Sequence, residues 1–232
     1  YIVDNTPPTI SSVAITSATN KQYDFVNATD VVSVTTTFSE MFPSAVIVDN
    51  ASGNPTLPMV VGGTNRPAAY TSGSNINTSG NASLVFKYTI QSGDTDSNGI
   101  SIGANVLALN NGTIMDRAGN FAEDLAHSAV PDNSSYKVDT TPPSVENFSM
   151  DDREIKTNET ATVTLEFSEP VCTSTSLCTQ TQTGGTYFNN DDITVIGDNG
   201  TGVTDASGSL STMESDDNES WEGTFTPNVP VE

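Results

Sequence analysis

The sequence predicts an all-β protein made of two tandem β-sandwich domains, on three observations. Tyr136-Lys137-Val138-Asp139-Thr140-Thr141-Pro142-Pro143 restates Tyr1-Ile2-Val3-Asp4-Asn5-Thr6-Pro7-Pro8 almost residue for residue, so the chain is a repeat read across its joints. Ser, Thr, Asn, Gly and Val are abundant while Lys and Leu are scarce, a composition that favours short strands and turns over helices. Alternation of apolar and polar residues, the two-residue period of a half-buried strand, recurs in both copies.

The repeat sets the boundaries. It gives a first domain over residues 1–141, of which 1–8 are the preceding joint, and a second over 142–232. Either length can hold a core. In each joint two adjacent prolines fix two φ angles and remove two backbone donors, so Asp-x-Thr-Pro-Pro reads as a stiff, extended linker.

Acids outnumber bases 29 to 7 and the formal net charge is −22. Polyanionic partners such as nucleic acid and anionic membranes are disfavoured, and divalent cations are favoured. No apolar run is long enough to span a bilayer, so direct membrane insertion is not expected. No basic-then-apolar leader is present, and an export signal or anchor is expected outside this stretch. Cys172 and Cys178 lie in a Thr/Ser-rich stretch with no His nearby. Zinc would need two more ligands; a small-loop disulfide in an oxidising compartment is the better reading, with free thiols the alternative.

Along the first domain, residues 9–16 read as a strand and 30–40 as a second, with Val32, Val34, Thr36 and Phe38 on one face. Residues 160–169 repeat the second strand, with Ala161, Val163, Leu165 and Phe167 in matching places. Glu40 and Glu169 each follow the inward Phe by two residues, so each carboxylate points to the core face beyond the core's end and needs a partner there. In a seven-strand antiparallel sandwich the second strand ends at the pole where the chain entered, which pairs Asp4 with Glu40 and Asp139 with Glu169 by topology.

Residues 43–82 are rich in Gly, Pro, Asn and Ser and read as short strands and surface loops. Residues 83–90 alternate again, with Leu84, Phe86, Tyr88 and Ile90 inward. Asp94-Thr95-Asp96-Ser97-Asn98-Gly99-Ile100 follows, the front half of a calcium loop: oxygen side chains at positions one, three and five, then a Gly for the sharp turn. Asn105 stands where the bidentate acid of the helix-loop-helix version belongs, so another segment would have to complete the shell; a polar β-turn is the alternative. Asp116-Arg117-Ala118-Gly119-Asn120 suits a turn with positive φ. Residues 121–130 suit one or two helical turns with Phe121, Leu125 and Ala129 on one side. His127, the sole histidine, has no nucleophile or metal pattern around it and reads as a bystander.

In the second domain Trp221 and Phe225 are expected core residues. Nothing after them corresponds to the Asp-x-x-Gly-Asn turn or the closing Tyr-x-Val-Asp strand, so this sandwich is expected to lack its last strands and to leave a sheet edge open. No Ser/His/Asp set exists and no paired acids fall in an aromatic-lined groove, so enzymatic activity is not expected. A glycan partner on the loops of residues 49–82 is allowed, with no residue pointing to it.

The order of these motifs resembles the bacterial immunoglobulin-like tandem repeats of large calcium-dependent cell-surface adhesins and biofilm-associated proteins. The resemblance rests on the linker Asp-x-Thr-Pro-Pro, the Phe-Ser-Glu strand end and Asp116-x-x-Gly119-Asn120, and it covers nearly the whole chain. The first domain, with Tyr88-Thr89-Ile90-Gln91, is similar to one long repeat type, and the second, with Trp221-Glu222-Gly223-Thr224-Phe225, to a shorter one. The resemblance implies extracellular extender modules whose partners are neighbouring repeats of the same protein or identical subunits, with calcium at the joints. It also implies that Asp4, Glu40, Asp116 and Asn120 form one polar cluster and Asp139 with Glu169 the next, to which Asp94, Asp96 and Asn98 could contribute. The alternative is a subunit of an extracellular filament or surface layer, in which a neighbour's strand, such as Tyr1-Ile2-Val3, covers the open edge.

Overall fold

The computed structural model describes residues 3–41, 45–76, 81–155, 159–171, 193 and 208–227. The fold is all-β, and the chain divides into two compact units, Tyr1–Thr141 and Pro142–Glu232. Cys172 and Cys178 lie outside the described residues.

In the first unit the strands in chain order are β1 (Ile10–Ala18), β2 (Phe25–Val26), β3 (Val31–Met41), β4 (Ile47–Asp49), β5 (Thr56–Val61), β6 (Thr64–Ile76), β7 (Asn81–Thr89), β8 (Thr113–Met115) and β9 (Lys137–Val138). Five of them form an antiparallel sheet in the order β1-β3-β7-β6-β5. Two small ladders accompany it: β4 with β8, antiparallel, and β2 with β9, parallel. The alternation of β3 buries Val32, Val34, Thr36 and Phe38, and that of β7 buries Leu84 and Phe86, as the period requires. Ile100, Ile102 and Ile114, with Val26 and Val138 of the parallel ladder, complete the same core.

The middle of this unit is more regular than the composition suggests. Residues 56–76 form a hairpin, closed by Gly62 and Gly63 at φ +54° and +77°, the left-handed pair that a two-residue turn of the right twist needs. Counting outward from the Val61–Thr64 pair, Pro58 and Pro67 face each other at a pair that exchanges no hydrogen bonds, so two residues without N–H cost the ladder nothing there.

Residues 121–130 are extended, not helical. Their backbone groups are taken by neighbouring segments: Ala122 N–H donates to Ile114 at 2.8 Å, Asn105 N–H to the His127 carbonyl at 3.2 Å, and Ile102 and Val130 exchange bonds at 2.9 Å. Backbone pairing with distant segments of the same chain outweighs a short amphipathic pattern that could form at most two turns.

The second unit contains β10 (Val145–Met150), β11 (Ala161–Phe167), β12 (Gly208–Leu210) and β13 (Ser220–Pro227), an antiparallel sheet in the order β10-β11-β13-β12. Val163, Leu165, Trp221 and Phe225 are buried on one face, with Met213 against them. The entry to this sheet copies the first. Ile10 pairs with Phe38 and Val145 with Phe167, and in both ladders the register shifts directly afterwards.

Candidate functional site

The same short-range bonds occur in both copies of the linker motif. Asp4 Oδ1 accepts from Thr6 N–H at 3.0 Å, and Asp139 Oδ1 from Thr141 N–H at 2.9 Å. Beyond the prolines, Ser39 N–H donates to the Thr9 carbonyl at 2.8 Å while Thr9 N–H donates to Ser39 Oγ at 3.1 Å. Ser168 and Ser144 make the same pair of bonds at 2.8 and 3.0 Å. The serine of Phe-Ser-Glu thus clamps the incoming chain against the end of the strand, and the next residue is the glutamate.

At the first joint three carboxylates meet: one oxygen each of Asp4, Glu40 and Asp116 lies within 4.8 Å of the others. Asp4 arrives on the strap ahead of Pro7 and Pro8. Glu40 is carried inward by the alternation that buries Phe38. Asp116 follows β8 and opens a tight turn, closed by Asp116 N–H to the Asn120 carbonyl at 3.0 Å and made feasible by Gly119 at φ +95°.

The three acids differ in how they are held. Asp116, 1% exposed, accepts Asn120 N–H at Oδ1 and the Asn120 side-chain amide at Oδ2, both at 2.8 Å. Burial pushes its pKa up, but these bonds and those from the Gly119 and Ala118 backbone outweigh it and hold the carboxyl below its usual value. Glu40 is only 7% exposed and meets no hydrogen-bond donor among the described residues. Burial, then the charges of Asp4 and Asp116, push its pKa above the usual 4.5. A buried carboxylate beside two others with no donor of its own is a position that a cation would complete. The donor set contains carboxylate oxygen and no nitrogen or sulfur, which suits a hard divalent ion. The residues present therefore fit a metal.

The Asp94-to-Asn98 turn is built differently. Asp94 accepts from Tyr88 Oη at 2.7 Å and Gln91 N–H at 3.0 Å and pairs with Arg66 at 2.5 Å. Burial raises its pKa, and the bonds from Gln91, Tyr88 and Arg66 more than reverse that, so it is held low. Burial and the bond to Asp94 push the Tyr88 hydroxyl up to about 12. Asp96 accepts from Gly62 and Gly99 N–H, both at 2.8 Å, and Asn98 donates to Asp132 at 2.5 Å. The three side chains thus take three different sets of protein partners. Arg66 is the partner that sequence reasoning missed, and Gly62-Gly63, a hairpin signal just ahead of it, was the available clue.

Asp139 lies in the first unit and Glu169, half-buried just after β11, in the second. His127 is buried, accepts Val106 N–H at Nε2 at 3.0 Å and places Nδ1 at 3.0 Å from the Ser128 carbonyl. Among the described residues no helix is long and apolar enough to cross a membrane. Compared with known proteins, the chain matches no family model, no curated protein and no solved structure.

Proposed function

We propose that this chain is a pair of immunoglobulin-like β-sandwich modules from an exported, repetitive cell-surface adhesin of the biofilm-associated kind, acting as spacers whose joints calcium stiffens. The observation that carries the reading is the joint itself. The Asp-to-Thr bond of the linker and the serine pair after the prolines each occur twice, and in the first unit Asp4 and Glu40 converge with Asp116, Glu40 being a buried carboxylate that meets no donor among the described residues. The stiff prolines fix where each aspartate arrives, and the charge of −22 favours calcium and disfavours anionic partners. In this reading Asp4, Glu40 and Asp116 are direct ligands; Asp139 and Glu169 repeat two of them.

Thermal unfolding and small-angle scattering in calcium and in chelator test this. Calcium at a hundredfold above its dissociation constant should raise the melting temperature by on the order of 5–10 °C and lengthen the particle. Glu40→Gln should remove the thermal gain due to the first site. A melting curve and a scattering profile unmoved by calcium would sink the proposal.

A second reading is favoured by a separate observation. Phe148 on β10 stands opposite Leu165, on the face that Leu165 and Trp221 bury, yet is 53% exposed at the sheet's edge. Such an edge could accept a strand from an identical subunit, making the chain a filament or surface-layer component. Sedimentation of the concentrated chain separates the two: discrete polymers favour strand exchange, and a monomer counts against it.

A further inference from the structure

Asn120 makes two bonds from one amide nitrogen to two separate segments. Its Nδ2 donates to Asp116 Oδ2 at 2.8 Å and to the backbone carbonyl of Asp4 at 3.2 Å. Both partners are acceptors only, and a primary amide has two hydrogens to give. Turning the amide round would set Asn120 Oδ1 against an anionic oxygen and a carbonyl at hydrogen-bond distance. The nitrogen therefore faces this side of the cluster, and the Asn120 backbone N–H, bonded to Asp116 Oδ1, gives the same acid a second bond from this residue.

We infer that Asn120 is a latch and not a cation ligand: with a neutral donor it ties the strap carrying Asp4 to the Asp116 turn, so the strap is seated before any ion arrives. The role of calcium in this inference rests on the cation reading above; the latch itself joins protein atoms. An ion entering such a site offsets the charge of Asp4, Glu40 and Asp116 without having to recruit the strap from solvent. Preformed geometry of this kind lowers the ordering cost of binding. Asn120 is a positioning residue, and Asp4 reaches the cluster partly through it.

Amide hydrogen exchange on the whole chain, in chelator and in calcium, tests the latch with wild type, Asn120→Ala and Asn120→Asp. In chelator Asn120→Ala should speed exchange at the Asp4, Asn5 and Thr6 amides about fivefold, the worth of one ordinary hydrogen bond. The Val34 and Phe86 amides in the sheet should be unchanged, which separates a local latch from general destabilisation. Asn120→Asp should loosen the strap further in chelator, because it replaces a donor beside Asp116 with a charge, and calcium should reverse that loosening. Equal strap exchange in wild type and Asn120→Ala without ion would overturn the latch. Stronger strap protection in Asn120→Asp than in wild type with calcium would also overturn it, since that is how an oxygen ligand behaves. If calcium protects the strap in none of the three proteins, the cation reading falls, and the chelator comparison still decides for or against the latch.

Discussion

Glu40 is buried by the same pleat that buries Phe38, two residues earlier, and this places its charge where water cannot screen it well. Its pKa is raised above 4.5, so the folded state holds the proton more tightly than the unfolded chain does. The stability this contributes is fully present below 4.5 and is lost as pH rises through the raised folded value. Asp116 has the opposite sign: its lowered pKa contributes stability above 3.8 that disappears as pH falls through the folded value. In chelator, the melting temperature should therefore climb as pH is lowered from neutral through the raised folded value of Glu40, before Asp116 begins to protonate. Glu40→Gln should flatten that climb and, at neutral pH without calcium, stabilise the protein by about 1 kcal/mol through lost repulsion. A Glu40→Gln variant with the wild-type pH slope would show that the cluster does not store this strain.

At the level of elements, strand alternation made β3, β7 and β11 readable from sequence, because one face of each is buried and one is not. The Phe-Ser-Glu spacing likewise placed Glu40 beside the incoming Asp4. The β5–β6 hairpin was hidden because its prolines and glycines, usually loop signals, occupy a non-hydrogen-bonded pair and a tight turn. Residues 121–130 misled because a local 3.6-residue pattern carries no information about which distant strands compete for its backbone. At the Asp94 turn the partners Arg66 and Tyr88 come from β6 and β7, and no local spacing reveals them. Asp94, with a side chain 1% exposed, should behave as a structural pin. Asp94→Ala strands Arg66 and the Tyr88 hydroxyl and should cost about 3 kcal/mol in urea unfolding, whereas Tyr88→Phe should cost about 1 kcal/mol. Calcium binding at the first joint should survive both changes; a calcium stoichiometry lower by one in Asp94→Ala with the fold intact would make this turn part of a separate ligand set.

Across the whole molecule, 29 acids against 7 bases make self-repulsion a general property, and any salt will relieve part of it. A rise in melting temperature with calcium is therefore informative only against sodium chloride of equal ionic strength. Screening acts on every exposed acid, so single Glu→Gln changes should barely alter the sodium response. A site acts through a few fixed oxygens, and the calcium increment beyond sodium should collapse in Glu40→Gln. Glu169 is the discriminating control, since it occupies the equivalent position after Phe167 in the other unit. Glu169→Gln should leave the first site intact in a calcium titration, because Asp4, Glu40 and Asp116 all belong to Tyr1–Thr141. A stoichiometry reduced by one in each single variant and by two in the double variant would mean that each repeat of the clamp carries its own ion. Loss in Glu40→Gln alone would mean that the Asp-x-x-Gly-Asn turn, present only in the first unit's sequence, is what turns a clamp into a cation site.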